Sequence, residues 1–251
     1  MSAFFSAIRF LTVIPVPLSW CGDEKSFNKS PDWYPLAGLT IGLFMAVCDL
    51  LLRWLLPLPV ASVLVMISLI AITGALHMDG LADTADAFFS SRGRERMLEI
   101  MKDSSAGPMG VTAIVVVLLL KTFLLLSLPT PWRTEVIILM PLAGRCAIPI
   151  ISSWLPYARS TEGTGAFIQN GSGFRRFAIC FGCLSLFSLA LFGWGAGLFI
   201  LVVVSLSTWL MGRYSRRKIG GYTGDVLGAT CELIEMVPAL CIIVLAHQGV
   251  I

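Results

Sequence analysis

Charge is scarce in this chain: only 13% of its 251 residues are Asp, Glu, Lys or Arg, and the net charge is +3. So small a positive excess gives no grounds for nucleic-acid binding and matters mainly for orientation. No P-loop, GxSxG elbow, HExxH helix or GxGxxG turn occurs. Nucleotide hydrolysis, serine-hydrolase, metalloprotease and NAD chemistry therefore lose support. The seven cysteines are odd in number and lie mostly inside apolar runs, where a thiol behaves as a small buried hydrophobe, so no disulfide framework is indicated. Cys180 and Cys183 form a lone CxxC with no second pair and no nearby His, which core packing explains better than zinc. The sequence shows no internal repeat and no low-complexity tract.

What is abundant is apolar sequence. With 57% hydrophobic residues and a mean hydropathy of +0.85, the chain reads as a polytopic membrane protein with no separate soluble domain. Near-spanning apolar runs at about 34–56, 58–76, 110–128, 135–155, 177–193, 195–211 and 226–247 predict an all-α bundle of about seven transmembrane helices. They make one membrane-embedded domain over 1–251. The pair around Gly193, Trp194 and Gly195 is joined so tightly that a re-entrant hairpin is the alternative. Residues 1–20 lack a basic leader and a small-residue cleavage site, and are expected to stay as a short interfacial helix. Lys and Arg gather in alternate connections, among them Arg92, Arg94, Arg96 and Lys102, then Arg159, Arg175 and Arg176, then Arg213, Arg216, Arg217 and Lys218. The intervening loops are short and nearly uncharged, which predicts a cytoplasmic N-terminus and an outside C-terminus.

Against that background, residues 74–110 stand out, with four Asp between two strongly apolar segments. At 100° per residue, Asp79, Asp83 and Asp86 fall within about 60° on one helical face. Three like charges so placed repel one another, and a divalent cation is the simplest neutraliser. Oxygen ligands favour Mg²⁺, Mn²⁺ or Ca²⁺ over zinc, and Mg²⁺ characteristically shares its shell with substrate phosphates. The following stretch places Arg92, Arg96, Glu99 and Asp103 on one face of a second helix, giving an Asp-rich cytoplasmic hairpin over 77–109. Asp103 is then expected to fold back on Asp79, Asp83 and Asp86. A second polar focus, GGYTGDVLGATCELIE at 220–235, sets Asp225 among glycines ahead of a helix carrying Glu232. Asp225 can cap that helix or join the metal site, and Gly224 allows a close backbone approach. Arg145 and Glu232 lie at membrane depth and are candidates for function, with Arg145 a partner for phosphate or for Glu232. Lys121 is expected to snorkel, Asp49 and Arg53 to pair at i,i+4, and His77, on the far side of its helix from the three Asp, to donate or accept a hydrogen bond.

Five blocks, FLTVIPVP (10–17), PLAGLTIG (35–42), GALHMDGLADTADAF (74–88), LEIMKDSSAGPMGV (98–111) and GYTGDVLGA (221–229), resemble in content and order the adenosylcobinamide-GDP ribazoletransferase, or cobalamin synthase, family. The resemblance runs nearly end to end. It implies a bacterial inner-membrane enzyme that moves adenosylcobinamide phosphate from its GDP ester to α-ribazole or its 5′-phosphate, releasing GMP. Mg²⁺ would be held by Asp79, Asp83, Asp86 and Asp103. Asp103 would be general base, and Asp86 would also act in catalysis. Substrate would be gripped by His77, Lys102, Ser104, Arg145, Gly224, Asp225 and Glu232. The expected partners are the two substrates and the lipid bilayer, with no nucleic acid and with homo-oligomerisation left open. The logic is similar to that of CDP-alcohol phosphotransferases, although Ala87 stands where their Asp-xx-Asp is followed by Gly. A CDP-alcohol phosphatidyltransferase is the nearest rival reading, and a transporter lined by Arg145 and Glu232 a more distant one.

Overall fold

The computed structural model describes residues 1–103, 105–159, 166–169 and 172–251. Eleven α-helices are seen among them: α1 (Ser2–Leu11), α2 (Leu18–Cys21), α3 (Glu24–Asn28), α4 (Tyr34–Leu55), α5 (Leu58–Thr73), α6 (Leu76–Phe88), α7 (Arg94–Ile100), α8 (Pro108–Ser127), α9 (Arg133–Ser152), α10 (Gly173–Ile219) and α11 (Gly224–His247). The described residues form no strand, only an isolated bridge between Tyr157 and Tyr222. The all-α bundle expected from composition is what forms.

Five helices are long and apolar enough to cross a membrane, or six segments if the bent pair α5 and α6 is taken as one span. The sequence reading of about seven counts α10 as two segments, and its 47 residues do run as two arms. Gly193 takes φ 71°, a left-handed conformation that glycine adopts without a side-chain penalty. A Cβ on Gly197 would lie 2.4 Å from the Ser188 carbonyl. Residues nine apart on a straight helix are about 13 Å apart, so the arms fold back on each other at Gly193.

α9 is the centre of the bundle, packed by α4, α11 and α10. Its Pro141 and Pro149 are buried inside the helix. Several charges within the bundle are paired. Lys121 is wholly buried and bridges Glu232 and Glu235 at 2.5 Å each, and Arg145, also buried, sits against Glu235. Lys121 therefore does not snorkel: its ammonium is held by two carboxylates of α11, the arrangement that makes a buried charge tolerable. Asp49 pairs Arg53 at i,i+4 as expected, and also Arg133 at 2.7 Å.

The end of α5 turns sharply. Gly74 and Ala75 both take left-handed φ values, 60° and 57°, and α6 leaves at 93° to α5. α6 therefore runs across one end of the bundle and lies outside the spanning segments. It meets the start of α8 through Ala82 and Gly110 and the start of α11 through Gly80 and Asp225. Phe88 packs on Tyr214 near the end of α10, with ring centroids 5.4 Å apart. The amphipathic α1, expected to be interfacial, buries Ala3, Ala7, Ile8 and Leu11 at this same end, beside α2, α3 and the start of α4.

Candidate active site

α6 presents its acids as the sequence spacing predicts: Asp79 is exposed, and Asp83 and Asp86 are half-buried. Asp83 is the electrostatic focus. Burial, followed by the carboxylates of Asp79, Asp225 and Asp86, pushes its pKa up to about 7, with Arg159 opposing. Asp225 reaches this cluster because α6 and α11 cross closely. A Cβ on Gly80 would lie 2.7 Å from the Asp225 carbonyl, and Gly228 faces the His77 carbonyl across the same crossing.

Asp225 does not cap α11. That position belongs to Thr223, whose Oγ1 accepts the Val226 amide at 3.3 Å. Asp225 Oδ2 instead accepts from Arg159 Nη2 at 2.7 Å. Arg159 is delivered by the bridged loops that precede it and α11. The Ala158 amide donates to the Tyr222 carbonyl at 2.8 Å, and the Tyr222 amide to the Pro156 carbonyl at 3.0 Å. Arg159 also donates to the Met101 carbonyl at 3.3 Å, which ties the acidic loop to both.

Asp86 is occupied differently. Its Oδ2 accepts the Gly107 amide at 2.7 Å and its Oδ1 the Gly110 amide at 2.9 Å. It thus serves the start of α8 as a cap supplied from another helix, where negative charge also suits the helix dipole. Asp103 is exposed and shares a cleft of about 270 Å³ with Asp86 and Arg96. The Ser105 hydroxyl and amide both donate to Asp103 Oδ1, at 2.8 and 3.0 Å, and hold its carboxyl below the usual range. This turn also ends the second helix early. α7 covers only Arg94–Ile100, which leaves Arg92 and Asp103 outside it, while Arg96 and Glu99 form an exposed pair.

The remaining expected site residues fall into three groups. Lys102 is exposed and lines a cleft of about 650 Å³ with Arg94, Arg96 and Arg159, a basic surface beside the acids. His77 and Gly224 line a smaller cavity that also meets Asp79 and Asp225. Arg145 and Glu232 lie deep in the bundle in the Lys121 network. Ser104 lies outside the described residues. Sequence reasoning missed Arg159 and Arg94 as site residues, since nothing in spacing links either to Asp225 or to the Tyr157–Tyr222 bridge.

Among the described residues no three His, Cys, Asp or Glu side chains converge closely enough to hold a metal ion. By charge and donor chemistry the acids still fit a hard cation: Asp83 feels three other carboxylates, and Arg159 is the cation that offsets them.

A family model described as cobalamin-5-phosphate synthase matches residues 3–244. Three similar curated proteins, each called adenosylcobinamide-GDP ribazoletransferase, come from Geotalea daltonii, Desulforamulus reducens and Pseudomonas putida. The first is 37% identical over 98% of this chain and 97% of its own length. The second is 40% identical over 91% of each, and the third 37% identical over 96% of this chain and 98% of its own. No solved structure matches the chain.

Proposed function

The chain belongs to the cobalamin-5-phosphate synthase family, and on that premise we propose that it transfers adenosylcobinamide phosphate from adenosylcobinamide-GDP to ribazole or its 5′-phosphate. The ribazole hydroxyl attacks the phosphorus that carries adenosylcobinamide. The bond to the GMP oxygen breaks, and the hydroxyl proton passes to a carboxylate. The observation that carries the mechanism is the combined charge of Asp79, Asp225 and Asp86 acting on the half-buried Asp83 carboxyl, beside a cleft lined by Arg94, Arg96, Lys102 and Arg159. Acids alone would repel a pyrophosphate, and bases alone would not hold a cation. The two together suit a metal–pyrophosphate ester.

Mg²⁺ is the proposed cofactor, and Asp79, Asp83 and Asp225 are the residues that would hold it. When bound it would supply charge neutralisation at the leaving GMP. Asp86 contributes by fixing the start of α8 beside this cluster. Arg94, Arg96 and Lys102 orient the phosphates by charge and hydrogen bonding. Asp103 is the proposed proton acceptor. Because Ser105 holds its carboxyl low, it is a weak base, and Asp103→Asn should cost about tenfold in turnover, below the roughly 10²–10⁴ of a well-matched base. Arg145 and Glu232, proposed from sequence to touch substrate, act through the packing of α9 and α11.

The end of the bundle that carries the acids also carries Arg92, Arg94, Arg96, Lys102, Arg159 and the basic last turn of α10, Arg216, Arg217 and Lys218. By the positive-inside rule this end faces the cytoplasm of the bacterial inner membrane, where the nucleotide ester is available.

The test is GMP release from adenosylcobinamide-GDP plus α-ribazole by purified protein in lipid, with Mg²⁺ or EDTA. Metal-dependent release with cobalamin formation, lost in Asp83→Asn, is expected. Folded protein that releases no GMP but turns over a CDP-alcohol substrate would overturn the reading.

A further inference from the structure

Apart from Asp79 and Asp225 at its rim, the cavity at the crossing of α6 and α11 has no role in the transfer described above. It encloses about 180 Å³. Its walls are largely apolar, built by Phe10 of α1, Tyr34 of α4, Ile148 of α9 and Leu227 of α11, and its rim reaches Asp79 and Asp225. Two polar groups are set into the apolar lining, the wholly buried Tyr34 hydroxyl and the His77 imidazole. His77 is 94% buried, from its 6% exposure, and its Nδ1 has no hydrogen-bond partner. A buried ring nitrogen without a partner is unusual and calls for an explanation.

We propose that this cavity takes the base of the acceptor nucleoside, a benzimidazole, with an N–H of the His77 imidazole donating to the ring nitrogen that carries no sugar. The assignment rests on ribazole being the acceptor. Three features carry it. A cavity of about 150 Å³ is enough for benzene, so this one, open toward the acids, admits a planar fused ring whose sugar edge projects outward. The ligand's hydrogen-bonding needs also match: a benzimidazole joined to ribose has apolar edges and one acceptor nitrogen, and the neutral imidazole offers one N–H. The guanine of the donor, with its amide and amino group, would bury more polar atoms than His77 and Tyr34 can partner, which is costly. Finally, the rim places the sugar beside Asp79 and Asp225, where its hydroxyl has to react. His77 is then a specificity-determining residue.

The experiment compares α-ribazole with its indole analogue, in which the free ring nitrogen is replaced by C–H. Wild type, His77→Leu and the cavity-filling Ile148→Phe are assayed with adenosylcobinamide-GDP as donor. Wild type should prefer the benzimidazole nucleoside by about tenfold in kcat/KM, the worth of one buried hydrogen bond. His77→Leu should bring that ratio close to one, and Ile148→Phe should raise the KM for either acceptor. In both variants the KM for the donor should stay unchanged. A ratio preserved in His77→Leu, or a KM change confined to the donor, overturns the assignment. Calorimetric binding of α-ribazole to donor-free protein separates this failure from failure of the reaction itself. Binding weakened by Ile148→Phe supports the cavity even if no GMP is released, and binding unaffected by it removes the cavity from the acceptor site.

Discussion

Arg159 Nη2 donates to Asp225 Oδ2 at 2.7 Å across 66 residues of sequence. The pair sits where three carboxylates, Asp79, Asp225 and Asp86, act on Asp83, and its guanidinium works against the repulsion among them. Arg159→Gln removes that cation, so carboxyl ionisation in the cluster requires a higher pH. The acidic limb of the pH–rate profile for GMP release should move to higher pH. Arg159→Lys, which keeps the charge and loses the planar fork, should move it less. A limb that stays in place in Arg159→Gln would show that the pair does not tune the acids.

The same electrostatics predicts how stability depends on pH without a divalent cation. Asp83 is raised from 3.8 to about 7 in the folded protein, so folding takes up a proton between these values. Its stabilising contribution is complete below about pH 3.8 and is lost as pH rises through about 7. Cation-free protein should therefore melt at a lower temperature at pH 8 than at pH 5, and Asp83→Asn should show less of this slope. Mg²⁺, competing with the proton, should raise the wild-type Tm more at pH 8 than at pH 5. Equal Mg²⁺ effects at both pH values would count against a site at these carboxylates.

Asp86 and Asp83 lie one turn apart on α6 and should fail in different ways. Asp86 accepts two amides at the start of α8, so Asp86→Ala should lose about 1 kcal/mol of stability through the missing cap. Asp86→Asn retains an acceptor oxygen and should lose less. Asp83→Asn removes a repelled charge, and should abolish GMP release while leaving cation-free stability equal or higher. Chemical denaturation in detergent, run beside the activity assay, separates the two outcomes.

The acid face of α6 was legible because helical periodicity acts locally: three Asp at i, i+4 and i+7 need no tertiary information to share a face. The break at Gly193 was legible for the same reason, since a Gly-Trp-Gly sequence between two apolar runs marks a tight turn. What local sequence cannot encode is which distant group completes a site. Arg159 read as one more basic loop residue until the Tyr157–Tyr222 bridge placed it on Asp225. Thr223 took the cap position that Asp225 also fitted by type. Lys121 and Arg145 were recognisable as buried charges by their depth, but the same depth fits snorkelling, a substrate contact or an internal pair, and only the packing of α8 and α9 on α11 decides among these. α7 is short because the Ser105 hydrogen bonds turn the chain at Asp103, a side-chain preference that competes with helix periodicity.

That buried network yields a stability prediction distinct from the site. Lys121 holds Glu232 and Glu235, and Lys121→Met leaves both acids in the bundle with Arg145 as the nearest cation. Removing one partner of a buried ion pair costs about 3–5 kcal/mol. Adding Glu232→Gln removes one of the stranded charges and should restore most of the loss. A single substitution with little effect on unfolding would show that water reaches the cluster.

Gly80 and Gly228 occupy the same helix crossing and tolerate a methyl group very differently. A Cβ on Gly80 would come within 2.7 Å of the Asp225 carbonyl and 3.0 Å of its Cα, both backbone atoms that cannot rotate away. Gly80→Ala must therefore push α6 and α11 apart, and this carries Asp225 away from Asp79 and Asp83. A displacement near 1 Å at a reacting centre can cost about 10²-fold, so turnover should fall on that scale even where the bundle stays folded. On Gly228 the nearest atoms would be 3.3 to 3.4 Å away, a fit that needs only a few tenths of an ångström of adjustment, and Gly228→Ala should lose less than about tenfold. Equal losses in the two variants would mean that the spacing of α6 and α11 does not set the geometry of the acids. Loss in Gly80→Ala alone, with folding retained, would place the reaction at this crossing.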